Sequence, residues 1–338
     1  MIEGCSLCAQ RQNGGDVETA TDSKVRLSVI VCTHNPRRVY LTAVLAALRS
    51  QTLAVSEWEL LVVDNHSTEA VSGWLNLDWH PHGRMVSESR IGLTRARLRG
   101  IAESKAELLV FVDDDNVLAP DYLAVTSSLA ERHSRLGIWS GRIDLEFESP
   151  PPEWTRKYWP FLVHRPIEQD ATSGEVRLEE PLPVGAGMCV RRAVAEAYVA
   201  EAKNSKLRIN LGRCGGDLVS AEDTDLALLA CARGWKRGVF ASLRLRHLIP
   251  PERVTEDYLV RLTEGIQFSG FVVKRLHGIS AVPPPINAWW HLKYLCDLAT
   301  KFGRKRRFYL AAKRAQRRSR QLHEELTLGA GQTFPEKL

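Results

Sequence analysis

No run of 18 uninterrupted apolar residues occurs anywhere in the chain, so no membrane-spanning helix is expected. A basic start followed by an apolar segment is missing too. The opening MIEGCSLCAQRQNGGDVETATDSK therefore reads as a flexible leader over 1–24, not a signal peptide. Paired cysteines are lacking: the seven are scattered and odd in number, as expected of reduced thiols in a cytoplasmic protein. Cys5 and Cys8 form a C-x-x-C with no second pair at zinc spacing. No G-x-G-x-x-G follows an early strand, which disfavours a hydride-transferring dinucleotide enzyme. What remains is a 338-residue chain, 44% hydrophobic and 25% charged, enough for one large α/β domain and an appendage.

Acid is absent from one long stretch. Between Lys301 and Arg320 stand ten Lys or Arg residues and no Asp or Glu. Subtracting ten from 46 basic residues leaves 36 against 40 acidic ones, so the net charge of +6 becomes about −4 for the rest. The basicity belongs to the C-terminal part. Trp289, Trp290, Tyr294, Phe302, Phe308 and Tyr309 are interleaved with it, after the stiff break Pro283-Pro284-Pro285. Aromatics mixed with cations suit a helix lying on an anionic membrane surface through 289–320, where each cation is worth about 1 kcal/mol. A solvated basic helix has the same composition, and no nucleic-acid recognition motif accompanies it, so no nucleic acid partner is expected.

Along the body the pattern alternates. Val25–Cys32 and Trp58–Val63 read as buried strands, Val39–Ser50 and Leu93–Ser104 as helices, Met85–Ser87 as a short strand and Leu108–Val112 as the next. Ile138–Phe147, Val184–Val190 and Lys236–His247 read as further strands, with helices over 191–203 and 222–233. Such alternation predicts an α/β fold with a doubly wound, mostly parallel sheet. The stretch Ser149–Pro166, with five prolines, reads as a long loop. Its Trp154, Tyr158 and Trp159 suit either stacking on a sugar or a hydrophobic clasp.

The most informative segment is LLVFVDDDN. An apolar, β-branched run stops in Asp113, Asp114 and Asp115, at the carboxyl end of a strand, where open α/β sheets gather ligands. Three carboxylates repel one another unless a cation joins them. Mg²⁺ and Mn²⁺ take one or two such oxygens and fill the rest of their shell with phosphate and water. A lone acidic turn would also cap the helix that follows. Other strand ends are loaded as well, with Thr33-His34-Asn35-Pro36-Arg37-Arg38 after the first and Asp64-Asn65-His66-Ser67 after the second. Asp64 can accept from a base or ribose, and Arg37 and Arg97 carry forked donors that suit phosphate. Gly185-Ala186-Gly187 fits either close approach to a sugar or a tight turn.

Seven segments in order, SVIVCTHNPRR (28–38), LLVVDNHST (60–68), RIGLTRARLRGI (90–101), LVFVDDDNVLAPDYL (109–123), PVGAGMCVRRAV (183–194), SAEDTDLALLACARGW (220–235) and LRHLIP (245–250), carry a resemblance. Together they resemble the family 2 glycosyltransferases, inverting enzymes of the GT-A fold that use nucleotide sugars. The resemblance covers residues 25–250 as the catalytic domain and leaves 251–338 as a helical, basic extension. It implies that Thr33, Asn35 and Asp64 hold base and ribose, with Arg97 near the donor. Asp113 and Asp114 would face the donor, while Asp115, with Asp113 and His247, would hold the metal. Asp223, in the pair Glu222-Asp223, falls where the family places its general base. Leu98 departs from the pattern, since members commonly carry Asn there.

The chemistry asks for these types in its own right. A sugar transfer leaves a diphosphate with growing negative charge, which Mn²⁺ or Mg²⁺ stabilises, and an imidazole ligand tilts the choice to Mn²⁺. The acceptor hydroxyl needs a carboxylate to take its proton, and Glu222, Asp223 and Asp225 are the candidates. The expectation is a metal-dependent transferase using a nucleoside diphosphate sugar, UDP-sugar by default, on a carbohydrate or lipid-linked hydroxyl acceptor of a cell-envelope polysaccharide. It would work in the cytoplasm, with the inner membrane face open to it as a peripheral site. The alternatives are a catalytically inactive sugar-nucleotide-binding protein and a sugar nucleotidyltransferase. The second is disfavoured because CTHNPRR contains no Gly.

Overall fold

The structure is a computed structural model, and it describes residues 25–178, 181–280, 282–283 and 285–328. The leader with Cys5 and Cys8 lies outside these. The chain runs β1 (Leu27–Thr33), α1 (Arg38–Arg49), β2 (Trp58–Asp64), β3 (Gly83–Ser87), α2 (Leu93–Glu103), β4 (Leu108–Asp113), β5 (Asn116–Leu118), α3 (Tyr122–Arg132) and β6 (Leu136–Phe147). Then follow β7 (Ala171–Ser173), β8 (Met188–Arg191), α4 (Arg192–Lys203), α5 (Lys206–Ile209), α6 (Glu222–Ala232) and β9 (Lys236–Ile249). Among the described residues three helices follow: α7 (Glu256–Leu276), α8 (Ala288–Thr300) and α9 (Gly303–Leu328).

One sheet runs β3-β2-β1-β4-β8-β6-β9-β5, with β7 on β9. The β3-β2-β1-β4 block and the long β6–β9 ladder are parallel, and the shorter contacts of β8, β5 and β7 are antiparallel. The expected mostly parallel, doubly wound sheet is therefore present. Strand residues alternate in direction, and the sequence uses this. Leu27, Val29 and Val31 of β1 join Leu60, Val62, Leu108, Val110 and Val112 in a core under α1 and α3. Ile30 joins Leu61, Val63, Leu109 and Phe111 in a second core under α2, α4 and α6. Both faces being covered explains why these strands read as unbroken apolar runs. At Gly100 of α2, a Cβ would stand 2.4 Å from Ile30 Cγ2, so only glycine lets that helix lie this close to the sheet.

The proline-rich stretch after β6 is not bare loop. It holds a 3₁₀ helix over Glu153–Leu162, and Tyr158 stacks on Phe308 of α9 with centroids 4.2 Å apart. Trp159 packs on Phe147 at 5.1 Å, and Arg304 lies over Trp154 at 3.8 Å. The three rings form the hydrophobic clasp. They hold α9 against the body.

Candidate active site

Parallel register brings the loaded strand ends to one rim. Thr33 pairs with Asp64, and Cys32 with Asp113. Opposite them, β5 pairs Asn116 with His247 of β9, and the Leu248 amide donates to the Asp115 carbonyl at 2.9 Å. This short antiparallel ladder sets His247 beside the third aspartate. Between the two sides lies a cleft of about 210 Å³, walled by Thr33, Asp113, Asp114, Asp115, Glu222, Asp223, His247 and Arg253 among others.

Arg97 is the buried centre of one wall. It donates to Glu222 at 2.8 Å and to Asp113 at 3.1 Å, and it is only 6% exposed. Gly185 lies directly over it: a Cβ there would stand 2.7 Å from the guanidinium. At Gly187, which has φ +67°, a Cβ would meet the Tyr122 hydroxyl at 2.5 Å. The Gly-Ala-Gly stretch thus accommodates Arg97 and Tyr122 of the protein itself. Burial raises the Glu222 carboxyl to about 7 against the opposing pull of Arg97. Its Oε2 has no hydrogen-bond partner among the described residues.

Asp223, the next residue, turns the other way at the start of α6. Its Oδ2 accepts from the Gly185 amide at 2.8 Å, and its Oδ1 from the Thr224 amide at 2.6 Å. The carboxylate is aimed at the cleft and retains free lone pairs. Asp225 has a different position. Fully buried, it takes the Arg208 Nε at 3.0 Å and the His277 Nε2 at 2.7 Å. It ties α5, α6 and α7 together and does not line the cleft.

Across the cleft, the Leu162 carbonyl lies 3.0 Å from His247 Nδ1. A carbonyl only accepts, so Nδ1 carries a proton, and in the neutral ring, the form that binds a metal, Nε2 presents a lone pair. That lone pair stands 3.4 Å from Asp115 Oδ2. In that state two electron-rich atoms at this distance repel unless a positive group joins them. Arg253 Nη1 fills that role, 2.7 Å from Asp115 and 3.2 Å from His247. Burial alone would raise the Asp115 carboxyl, but His247 and then Arg253 hold it well below the usual carboxylate range. Asp114 is raised to about 7 by burial and by Asp115, and it accepts a hydrogen bond from the Thr33 hydroxyl.

The donor set fits a divalent ion in part. A ligating histidine commonly donates its other nitrogen to a carbonyl, as His247 does, and Asp115 supplies a carboxylate beside it. Asp113 does not join them, since Arg97 holds it on the other wall. Among the described residues no group of three His, Cys, Asp or Glu side chains could hold one metal. An ion here would take Asp115, His247, phosphate oxygens and water.

Other predicted residues sit outside this centre. Asp64 accepts the Ser67 and Val71 amides at 3.0 and 3.1 Å and shapes the loop after β2. Asn35, in the left-handed region at φ 49°, bonds that same loop through Ser67 and Thr68. Arg37 is turned away from the cleft and held by Glu148 and Glu252, each at 2.6 Å. Sequence reasoning missed three contributors. Asn65 anchors the loop before α2 by bonding the Glu88 and Arg90 carbonyls and the Gly92 amide. Arg213 lines the cleft, and its charge helps to lower the Asp115 carboxyl. Arg253 is the third, and its signal was a lone arginine six residues past His247, beyond two prolines that turn the chain back.

The sequence profile of Glycosyl transferase family 2 matches residues 28–199. No protein of curated function matches the chain in sequence. Among solved structures, GalNAc-T7 with UDP, GalNAc and Mn²⁺ aligns with a TM-score of 0.50 at 13% identity, covering 82% of this chain and 58% of its own. The S. aureus TarS fragment 1-349 aligns at 0.48 and 13%, covering 92% and 94%. At such identity the first likeness speaks to the fold alone.

Proposed function

The chain belongs to glycosyl transferase family 2, and from that premise we propose that it moves a sugar from a nucleoside diphosphate donor to a hydroxyl acceptor with inversion. A UDP-sugar is the first donor to test. The observation that carries the reading is the pairing, across one cleft, of Asp115 with the lone pair of His247 on one side and Asp223 on the other. In this reading Asp223 accepts the proton of the acceptor hydroxyl as its oxygen attacks the anomeric carbon. The bond to the diphosphate breaks on the opposite face, and the electron pair leaves with the diphosphate. Asp115 and His247 would hold a divalent ion, Mn²⁺ before Mg²⁺, which supplies Lewis-acid stabilisation of the leaving charge. Asp113 and Asp114 border the donor, with Arg97 bonded to Asp113 from behind. The hydrogen bonds to Gly185 and Thr224 fix the Asp223 carboxylate, so little reorganisation accompanies proton transfer.

A panel of UDP-, dTDP- and GDP-sugars with Mn²⁺, scored by thermal shift and by slow donor hydrolysis, tests the reading without knowledge of the acceptor. Stabilisation and hydrolysis by at least one donor, both abolished by chelation, are expected. If no nucleotide sugar stabilises the protein, the proposal fails. The acceptor class we propose is a lipid-linked or cell-envelope carbohydrate, reached from the cytoplasmic membrane face.

A further inference from the structure

We propose that the Arg253 guanidinium is a resident counter-ion: it occupies the place between Asp115 and His247 that a divalent ion would take, and the ion enters by displacing it. This deepens the metal-site reading above and rests on it. Three observations carry it. His247 Nε2 and Asp115 Oδ2 face one another at 3.4 Å, and with the imidazole neutral, as a metal ligand must be, their lone pairs repel unless a positive group joins them. Arg253 Nη1 bonds both, at 2.7 and 3.2 Å. The 3₁₀ turn Pro251–Val254 runs into α7, whose first turn is capped by Thr255, which fixes the Arg253 backbone, while its side chain lines the cleft with 24% exposure.

A guanidinium and a divalent ion cannot share this gap, because both are cations seeking the same two lone pairs. The arginine preserves the ligating pose of Asp115 and His247 in the empty enzyme and lowers its affinity for the free ion. A diphosphate entering the cleft offers the displaced guanidinium a forked pair of oxygens. Ion and nucleotide then favour one another's binding, and by linkage the effect is reciprocal.

Mn²⁺ binding to the full chain, measured by calorimetry with MnCl₂ alone and with MnCl₂ plus UDP, tests this. Arg253→Met should bind Mn²⁺ alone on the order of tenfold more tightly than the wild type, and UDP should add less to its affinity. Arg253→Lys, which keeps a cation, should stay near wild type. Should Arg253→Met not fold, Arg253→Gln reads the same quantity. Equal or weaker Mn²⁺ binding by the neutral variant overturns the counter-ion role. If Asp115→Asn still abolishes binding in the presence of UDP in that case, the metal site itself stands. No Mn²⁺ binding by any variant, with or without UDP, overturns both.

Discussion

At the scale of single residues, Glu222 and Asp223 show how a single step along a helix separates two adjacent carboxylates into different roles. Glu222 is 5% exposed and bonded to Arg97, whereas Asp223 is part-exposed on the cleft. Asp223→Asn keeps the amide hydrogen bond from Gly185 but cannot take a proton. Donor-induced thermal shift should therefore persist while transfer falls by about 10²–10⁴-fold. Transfer at the wild-type rate would remove Asp223 as the base. Glu222 has a folded value of about 7, raised by burial from 4.5. A raised acid contributes stability that is fully present below 4.5 and lost as pH rises through 7. Glu222→Gln, which keeps the contact with Arg97, escapes that loss. Its melting temperature relative to wild type should climb between pH 5 and pH 8, values chosen on either side of about 7. A difference that stays flat across this range contradicts the burial argument.

At the scale of elements, Asp225 shows why a sequence cannot say which of three clustered acids is chemical. Spacing on a helix assigns 222 and 225 to a common face, yet Arg97 meets the first, and Arg208 with His277 meets the second. Those partners come from residues 125, 17 and 52 positions away. Asp225→Ala removes the buried acceptor that Arg208 and His277 share in the interface of α5, α6 and α7, and leaves Arg208 only its more exposed pair with Glu201. Chemical denaturation should show a loss of about 3–5 kcal/mol, the cost of breaking a buried pair. A loss under about 1 kcal/mol would mean that the cluster is not a stabilising clamp. The same distinction between near and far explains what was legible. The β1, β2 and β4 runs announced themselves because each is apolar on both faces, and the carboxylates at their ends were visible as an abrupt change of residue type. That α2 would bury an arginine between Asp113 and Glu222 was not visible, since RARLR alternates charge as any exposed helix does. Nor did HLIPPERV show that two prolines fold Arg253 back onto His247.

For the whole molecule, the basic C-terminal helix takes on a different physical meaning once its partners are counted. Arg304 and Arg307 bind Glu256, Arg314 binds Glu264, Arg318 binds Asp217, and Lys313 and Arg317 lie over Trp290. Much of the charge that stood out in the sequence fastens α9 to α7 and α8. The surface left for a membrane is instead the outer side of α8 and its connection to α9, where Trp289 is 71% exposed, Leu292 54%, Leu295 61% and Phe302 74%. No described helix is long and apolar enough to cross a bilayer, so contact would be interfacial. The exposed Lys293, Lys305 and Arg306 border this patch in sequence and favour an anionic leaflet. Deleting the basic run would unseat α9 and confound any binding assay, so the informative change lies on α8. Trp289→Ser combined with Leu292→Ser and Leu295→Ser should leave the fold and donor hydrolysis intact. It should remove most of the flotation of the protein with vesicles containing anionic lipid. Raising the salt should weaken wild-type flotation only in part, because the apolar contribution is not screened as charge is. Undiminished flotation of the triple variant would show that this face is not the contact, and flotation lost wholly to salt would assign the attraction to the cations alone.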